Sequence, residues 1–204
     1  MRHAGSLTSE ARNTIVRRLL EQDARAYRAV LLEALIVRPE CFPRHYHEEM
    51  SRPLEDIERQ LTAEIILGAW IEDELVGIVA FAAKSFPKQR HAGTISHLYV
   101  KERFRRKGVA GLLLGTVLES AAPHVEQVEI IVSDIPEDAI ALFERFGFRI
   151  CGLMPRGIRI DGEDVLLVSS EVREGEGIVV DHLQKTLCPS VLNIRPPVSP
   201  RLAM

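Results

Sequence analysis

At 204 residues the chain has the length of one ordinary domain. Hydrophobic residues make up 46% and charged residues 27%, which predicts a packed core beneath a soluble surface; the formal charge of −3 and the lack of a long Lys/Arg run exclude an extended nucleic-acid footprint. The longest apolar stretch, Val109 to Leu118, is broken by Gly111, Gly115 and Thr116 and is too short for a bilayer, and the three cysteines (Cys41, Cys151, Cys188) lack CxxC spacing, which argues against a disulfide framework.

In chain order, Thr14 to Leu19 is short and β-branched and predicts a first strand. Gln22 to Ile36 places Ala26, Val30, Leu31, Ala34 and Leu35 on one helical face. Val37 to Arg52 holds two prolines, two histidines and two aromatics and reads as a loop with at most one turn. Pro53 suits a helix start, so Leu54 to Leu61 is expected as the second helix. Ile65 to Ile71 and Leu75 to Ala82, separated by Glu72-Asp73-Glu74, predict a β-hairpin without a glycine turn. Thr94 to Val100 is the next strand. Val109 to Ala122 then has helical spacing of Val109, Leu112, Leu113, Val117 and Ala121, and Val125 to Val132 is a β-branched strand.

Ala139, Leu142, Phe143 and Phe146 mark another helix. Asp134 with Glu137 resembles a capping box at its start, and Gly147 before Phe148 a Schellman stop at its end. Arg149 to Met154 and Val165 to Glu171 complete the strands, joined by a loop with Asp161-Gly162. From Arg173 to Met204 four prolines and a short amphipathic piece near Val179 to Leu187 predict an extended or docking tail. The order β-α-α-β-β-β-α-β-α-β-β is that of a single α/β domain with a mixed sheet. The N-terminal residues lack the apolar core of a signal peptide, so a cytoplasmic protein is the expectation.

The informative segment runs from His97 to Gly111: a strand end, a basic loop, then a helix that starts with small residues. The first N–H groups of a helix lack intrahelical partners and carry partial positive charge. Phosphate oxygens can take those positions where no side chain intervenes. Gly108, Ala110 and Gly111 keep the approach open, and Arg105, Arg106 and Lys107 add charge. The same pattern also suits a basic loop before a glycine-started helix with no ligand.

Arg105-Arg106-Lys107-Gly108-Val109-Ala110 resembles the acetyl-CoA motif of the GNAT superfamily, Gln/Arg-x-x-Gly-x-Gly/Ala. Ala139 to Phe148 resembles that family's second helix motif, and Pro155-Arg156-Gly157-Ile158 with Asp161-Gly162 is similar to its last hairpin. Upstream, Arg17-Arg18-Leu19, Leu32-Glu33-Ala34-Leu35 and Pro39-Glu40-Cys41-Phe42 look like the start of a small-molecule branch. The resemblance covers residues 14–172, leaving 173–204 as a C-terminal extension.

The resemblance implies a mixed, mostly antiparallel sheet flanked by helices and splayed between the strands ending at Val100 and Val132. It implies an N-acetyltransferase that binds acetyl-CoA and acts on a primary amine of a small molecule, peptide or protein by direct attack. The pyrophosphate would lie on Arg106, Lys107, Gly108, Val109, Ala110 and Gly111, with Arg105 beside them. The pantetheine arm would pair with Leu98, Tyr99 and Val100, and a backbone N–H near Val100 would face the developing oxyanion. Two departures stand out: Phe143 occupies the place of the usual thiolate-protonating Tyr, and Pro136 that of a frequent Asn. They keep open an alternative, a coenzyme-A-binding regulatory module with little turnover.

His97 and Glu129 are candidate bases, and each also reads as an ordinary strand residue. Glu33, Phe42 and Tyr46 are candidates for the acceptor side, against a plain surface loop and helix face. Cys41-x-x-x-His45-x-His47 matches no common zinc module, so no metal is expected. Neither nucleic acid nor membrane is expected as a partner, and a homodimer is left open.

Overall fold

The computed structural model describes residues 13–42, 44–133, 137–160 and 163–173. The expected capping Asp134, Pro136, the Asp161-Gly162 pair, Cys188 and the tail beyond Arg173 lie outside them. Among the described residues seven strands form one sheet in the order β1-β2-β3-β4-β5-β7-β6. They are β1 (Thr14–Arg18), β2 (Ile65–Ile71), β3 (Glu74–Ala83), β4 (Ala92–Val100), β5 (Gln127–Ser133), β6 (Arg149–Ile160) and β7 (Glu163–Arg173). Every neighbouring pair is antiparallel except β4 with β5. The helices are α1 (Ala24–Val37), α2 (Tyr46–Ser51), α3 (Leu54–Ala63), α4 (Val109–Ala121) and α5 (Glu137–Arg145). Among the described residues no helix is long and apolar enough to cross a membrane.

The central strands are apolar along their whole length because both faces are covered. In β3 the pleat sends Leu75, Ile78 and Ala80 into a core with Tyr27, Val30, Leu31 and Ala34 of α1 and with Ile57 and Leu61 of α3. It sends Val76, Val79 and Phe81 into the opposite core with Val109, Leu113, Leu114 and Val117 of α4 and with Phe143 of α5. From Ile78 to Phe81 the two faces alternate residue by residue; before them a bulge, where Ala69 pairs with Gly77 but Trp70 with Leu75, shifts the pleat by one and puts Leu75 on the face of Ile78. The β2–β3 turn is made without glycine, as expected, and Glu72 takes φ 54° there.

The Schellman end of α5 is present as expected. Phe148 N–H donates to Phe143 O at 3.1 Å, Gly147 N–H to Glu144 O at 3.0 Å, and Gly147 has φ 83°. Two expectations are corrected. Residues 37–52, expected as a loop, contain a 3-10 turn at Pro39–Cys41 and the helix α2. The helix starts where Glu48 Oε2 accepts the His45 backbone N–H at 3.1 Å, half of a capping box whose N-cap residue is outside the usual Ser/Thr signature. The last two strands also run longer than expected. The ladder resumes at Ile158 after the irregular stretch at Pro155, where Arg156 takes φ 58°.

Small residues let α5 approach α4: a Cβ at Gly115 would sit 3.4 Å from the Phe146 ring, a contact a slight ring shift accommodates. Gly in a helix interior costs about 0.5–1 kcal/mol relative to Ala. Gly115→Ala is therefore expected to raise stability by up to about that amount in denaturant unfolding. A loss would mean that Phe146 has no room to yield.

Candidate functional site

The site is built where β4 leaves β5. Their parallel ladder joins Ala92–Ile95 to Gln127–Ile130 and goes no further. At the point of parting β4 has a bulge: Tyr99 pairs with Ile78 but Ser96 with Ala80. The extra residue, His97, takes φ 56°, a left-handed conformation that a side chain adopts at a cost of about 1 kcal/mol or more. Its ring holds it there, stacked on Phe42 at 5.8 Å and 15°, with Nδ1 3.4 Å from the Tyr27 hydroxyl.

Lys101 N–H donates to Val76 O at 2.9 Å. Antiparallel residues alternate in the direction of their backbone groups, so Val100 turns its own N–H and C=O toward the side from which β5 has departed. The Val100 carbonyl accepts Arg105 Nε at 2.9 Å, and the Arg105 guanidinium lies 5.4 Å from the Tyr99 ring centre. Arg105 thereby ties the basic loop to the strand. Leu98 and Val100 belong to, or pack on, the core beneath α4, whereas Tyr99 faces α1.

The loop continues as a 3-10 turn at Glu102–Phe104, then Arg106 at φ 62° and Gly108 at φ 89°. Gly108 is the N-cap of α4, and no side chain caps it. The opening amides at Val109, Ala110 and Gly111 are therefore not covered by a capping group, which is the arrangement an anion requires. A Cβ at Gly111 would have only Leu142, at 3.9 Å, as a close neighbour. Arg103 and Lys107 both lie over the Phe104 ring, at 4.8 and 5.4 Å, and Arg103 is also paired with Glu74, which fixes the loop's stems beside the helix mouth. Phe143 of α5 is buried in the core below, edge-on to Phe148 at 5.9 Å.

On the α1 face lies a second chamber. Tyr27 is fully buried, and burial, with Glu49 as the next cause, raises its phenol far above the ordinary value, so it keeps its proton. Burial pushes the His97 imidazole down to about 4, and the positive charges of Arg44 and Arg52 push in the same direction. His97 is thus neutral at neutral pH. Glu49 of α2 is fully buried, accepting Arg52 at 3.1 Å through Oε1 while Oε2 has no hydrogen bond. Glu33 accepts the Tyr99 hydroxyl at 3.0 Å; burial and then this carboxylate push the Tyr99 phenol up to about 12.

The structure brings His97, Phe42, Tyr99 and Glu33 to one side of β4, with Tyr46 of α2 packed against the same core. Glu129 stands apart from them. It lies opposite Thr94, where β4 and β5 are still paired, and takes Lys84 Nζ at 2.7 Å. Tyr27, Arg44 and Arg52 were not legible as site residues. Tyr27 reads as one more member of the buried face of α1, and the two arginines are ordinary in a segment read as loop. Among the described residues no group of three His, Cys, Asp or Glu is placed to hold a metal ion.

The acetyltransferase (GNAT) family model matches residues 31–148. No curated protein matches the sequence. Solved structures do match. An acetyltransferase of the GNAT family from Streptococcus pneumoniae is 21% identical, with a TM-score of 0.67 over 78% of this chain and 99% of its own. The ribosomal-protein-alanine N-acetyltransferase of Brucella melitensis is 22% identical, with a TM-score of 0.68 over 78% and 99%. The yncA protein of Salmonella typhimurium, solved with its cofactor acetyl-CoA, is 19% identical, with a TM-score of 0.66 over 86% and 99%. At these identities the likeness is one of fold.

Proposed function

This chain belongs to the acetyltransferase (GNAT) family, and on that premise we propose that it transfers an acetyl group from acetyl-CoA to a primary amine of a small molecule, peptide or protein by direct attack. The observation that carries the reading is the parting of β4 from β5 beside an uncapped α4 N-terminus. It offers one strand edge and one anion seat in line, as an elongated ligand with a phosphorylated end requires. Gly108, with its positive φ and no side chain, fits that seat.

Acetyl-CoA supplies the acyl group as a thioester. The amides of Gly108, Val109, Ala110 and Gly111 and the charges of Arg105, Arg106 and Lys107 hold the pyrophosphate in this reading. Leu98, Tyr99 and Val100 offer main-chain pairing to the pantetheine arm, and Val100 N–H faces the oxygen that gains negative charge. The acceptor enters from the α1 face, against Glu33, Phe42 and Tyr46.

An amine must be neutral to attack. Burial and the like charges of Arg44 and Arg52 both lower an ammonium's pKa, as they lower that of His97. His97 is then a neutral hydrogen-bonding partner for the amine at the strand bulge, and the proton leaves to water. Glu129, held by Lys84 outside the parted region, is the weaker candidate for proton removal. Phe143 has no proton to give, so the thiolate takes its proton from water.

Phe143 also favours the second reading, a coenzyme-A-binding regulatory module. Release of free thiol that depends on an added amine discriminates against it. The first test is thermal unfolding with acetyl-CoA, CoA and ATP. A hundredfold excess over the dissociation constant adds about 2.7 kcal/mol, which for this size raises the midpoint by roughly 5–10 °C. A rise with acetyl-CoA and CoA but not ATP supports the seat; no rise with either removes the reading.

A further inference from the structure

We propose that a groove between α2 and α3 is an anion subsite, and that the acceptor amine carries a carboxylate which Arg44 and Arg52 hold there; this rests on the acetyl-transfer reading above. The groove has a volume of about 430 Å³ and is lined by Arg44, Arg52, Asp56, Arg59, Gln60 and Glu64. It is open to solvent and mostly polar, so it suits one charged end of a ligand.

The lining carries three arginines against two carboxylates, a formal charge of +1, and its pairing is uneven. Arg59 is paired with Asp56. Arg52 donates to Glu49 Oε1 at 3.1 Å and to the Asp56 carbonyl at 3.0 Å. Glu64 Oε2 takes the Gln60 amide at 3.0 Å. Arg44 differs: its Nε stands 4.0 Å from Glu49 Oε2, beyond hydrogen-bond distance, and its side chain is 60% exposed. Its planar fork of donors matches a carboxylate. Gln60 Oε1 is buried without a hydrogen-bond partner, an acceptor that an N–H or O–H of the same ligand would satisfy.

The groove and the chamber are coupled by shared residues. Arg44 and Arg52 line the one, while their charges reach His97 and Tyr27 in the other. Arg52 also holds Glu49, the carboxylate whose charge acts on Tyr27. Phe42, whose ring is stacked on His97 at 5.8 Å, is two residues from Arg44, so the Arg44 backbone lies within about 7 Å of the Phe42 backbone and a molecule whose amine approaches the β4 bulge can reach Arg44 with its other end. An amine with a carboxylate fits both places, and a simple alkylamine fits only the first.

Matched amines test this: lysine against cadaverine, and phenylalanine against phenethylamine. Thiol release and the unfolding midpoint are read for the parent chain and for Arg44→Ala, whose exposed side chain can be removed without opening the core. In the parent, the carboxylated member of at least one pair is expected to show a kcat/KM about tenfold or more above its partner, the scale of a charge-assisted hydrogen bond. In Arg44→Ala that ratio falls toward one, and Arg44→Lys restores part of it. Equal values in the parent, or a ratio unchanged in Arg44→Ala, overturn the proposal.

If acetyl-CoA gives no midpoint rise, the acetyl-transfer reading fails by itself, and the midpoint with the amines alone then decides the groove. A rise with lysine or phenylalanine that exceeds that of the decarboxylated partner and is lost in Arg44→Ala sustains the subsite. No such difference overturns it.

Discussion

Gly108→Glu is expected to fold and to lose the midpoint rise that acetyl-CoA gives the parent chain. Gly108 takes φ 89° at the mouth of α4, so any side chain there costs about 1 kcal/mol or more in backbone strain, tolerable for a domain of this size. The functional cost is larger. A carboxylate beside the helix mouth occupies the anion seat, and at about 4 Å two unit charges repel by about 4 kcal/mol in surroundings of intermediate dielectric. Affinity should fall by more than about a hundredfold, which calorimetric titration would read. Gly108→Asn is the control, since Asn tolerates the left-handed region and adds no charge. Unchanged affinity in Gly108→Glu would place the phosphates elsewhere.

The second large effect is a pH dependence of stability carried by His97. Its folded value is pushed down to about 4 from the ordinary 6.5. As pH falls below about 6.5 the unfolded chain takes up the proton first, so stability declines between about pH 6.5 and 4 and is intact above that window. At about 1.4 kcal/mol per pKa unit the full loss is about 3 kcal/mol. Asp23, held low first by its hydrogen bond with Arg17, and Glu74, held low first by Lys101, lose their contributions only at the acid end of the window. The slope between about pH 6.5 and 5 therefore belongs mainly to His97. His97→Gln keeps a polar partner for the Tyr27 hydroxyl and should flatten that slope in denaturant unfolding. Equal slopes in the two proteins would mean that the imidazole is charged or solvated in the fold.

The basic loop and α4 were legible because their signal is local. A glycine at a helix start, small residues after it and arginines before it are all within a few positions of one another. The Schellman end of α5 was legible for the same reason, Gly147 followed by an apolar Phe148. The bulge at His97 had no such signal: β-branched and aromatic neighbours make an unbroken strand pattern, and the extra residue is imposed by the different registers of β3 on its two sides. The burial of Glu49 was hidden by reading residues 37–52 as a loop, since only a helix turns that carboxylate inward.

What the sequence by itself determined is therefore the order of the strands and of every helix but α2, the mixed sheet with helices and the uncapped helix mouth, all set by periodicity, propensity and backbone freedom over short spans. What only the tertiary structure decided is the chamber on the other face of β4. Tyr27, Phe42, Glu49 and His97 come from four separate segments, and their ring stacking, shared hydrogen bond and mutual electrostatics arise only when α1 and α2 pack across the sheet. The neutral state of His97 and the loose 4.0 Å pairing of Arg44 with the buried Glu49 are consequences of that packing, because burial and charge depend on neighbours distant in the chain.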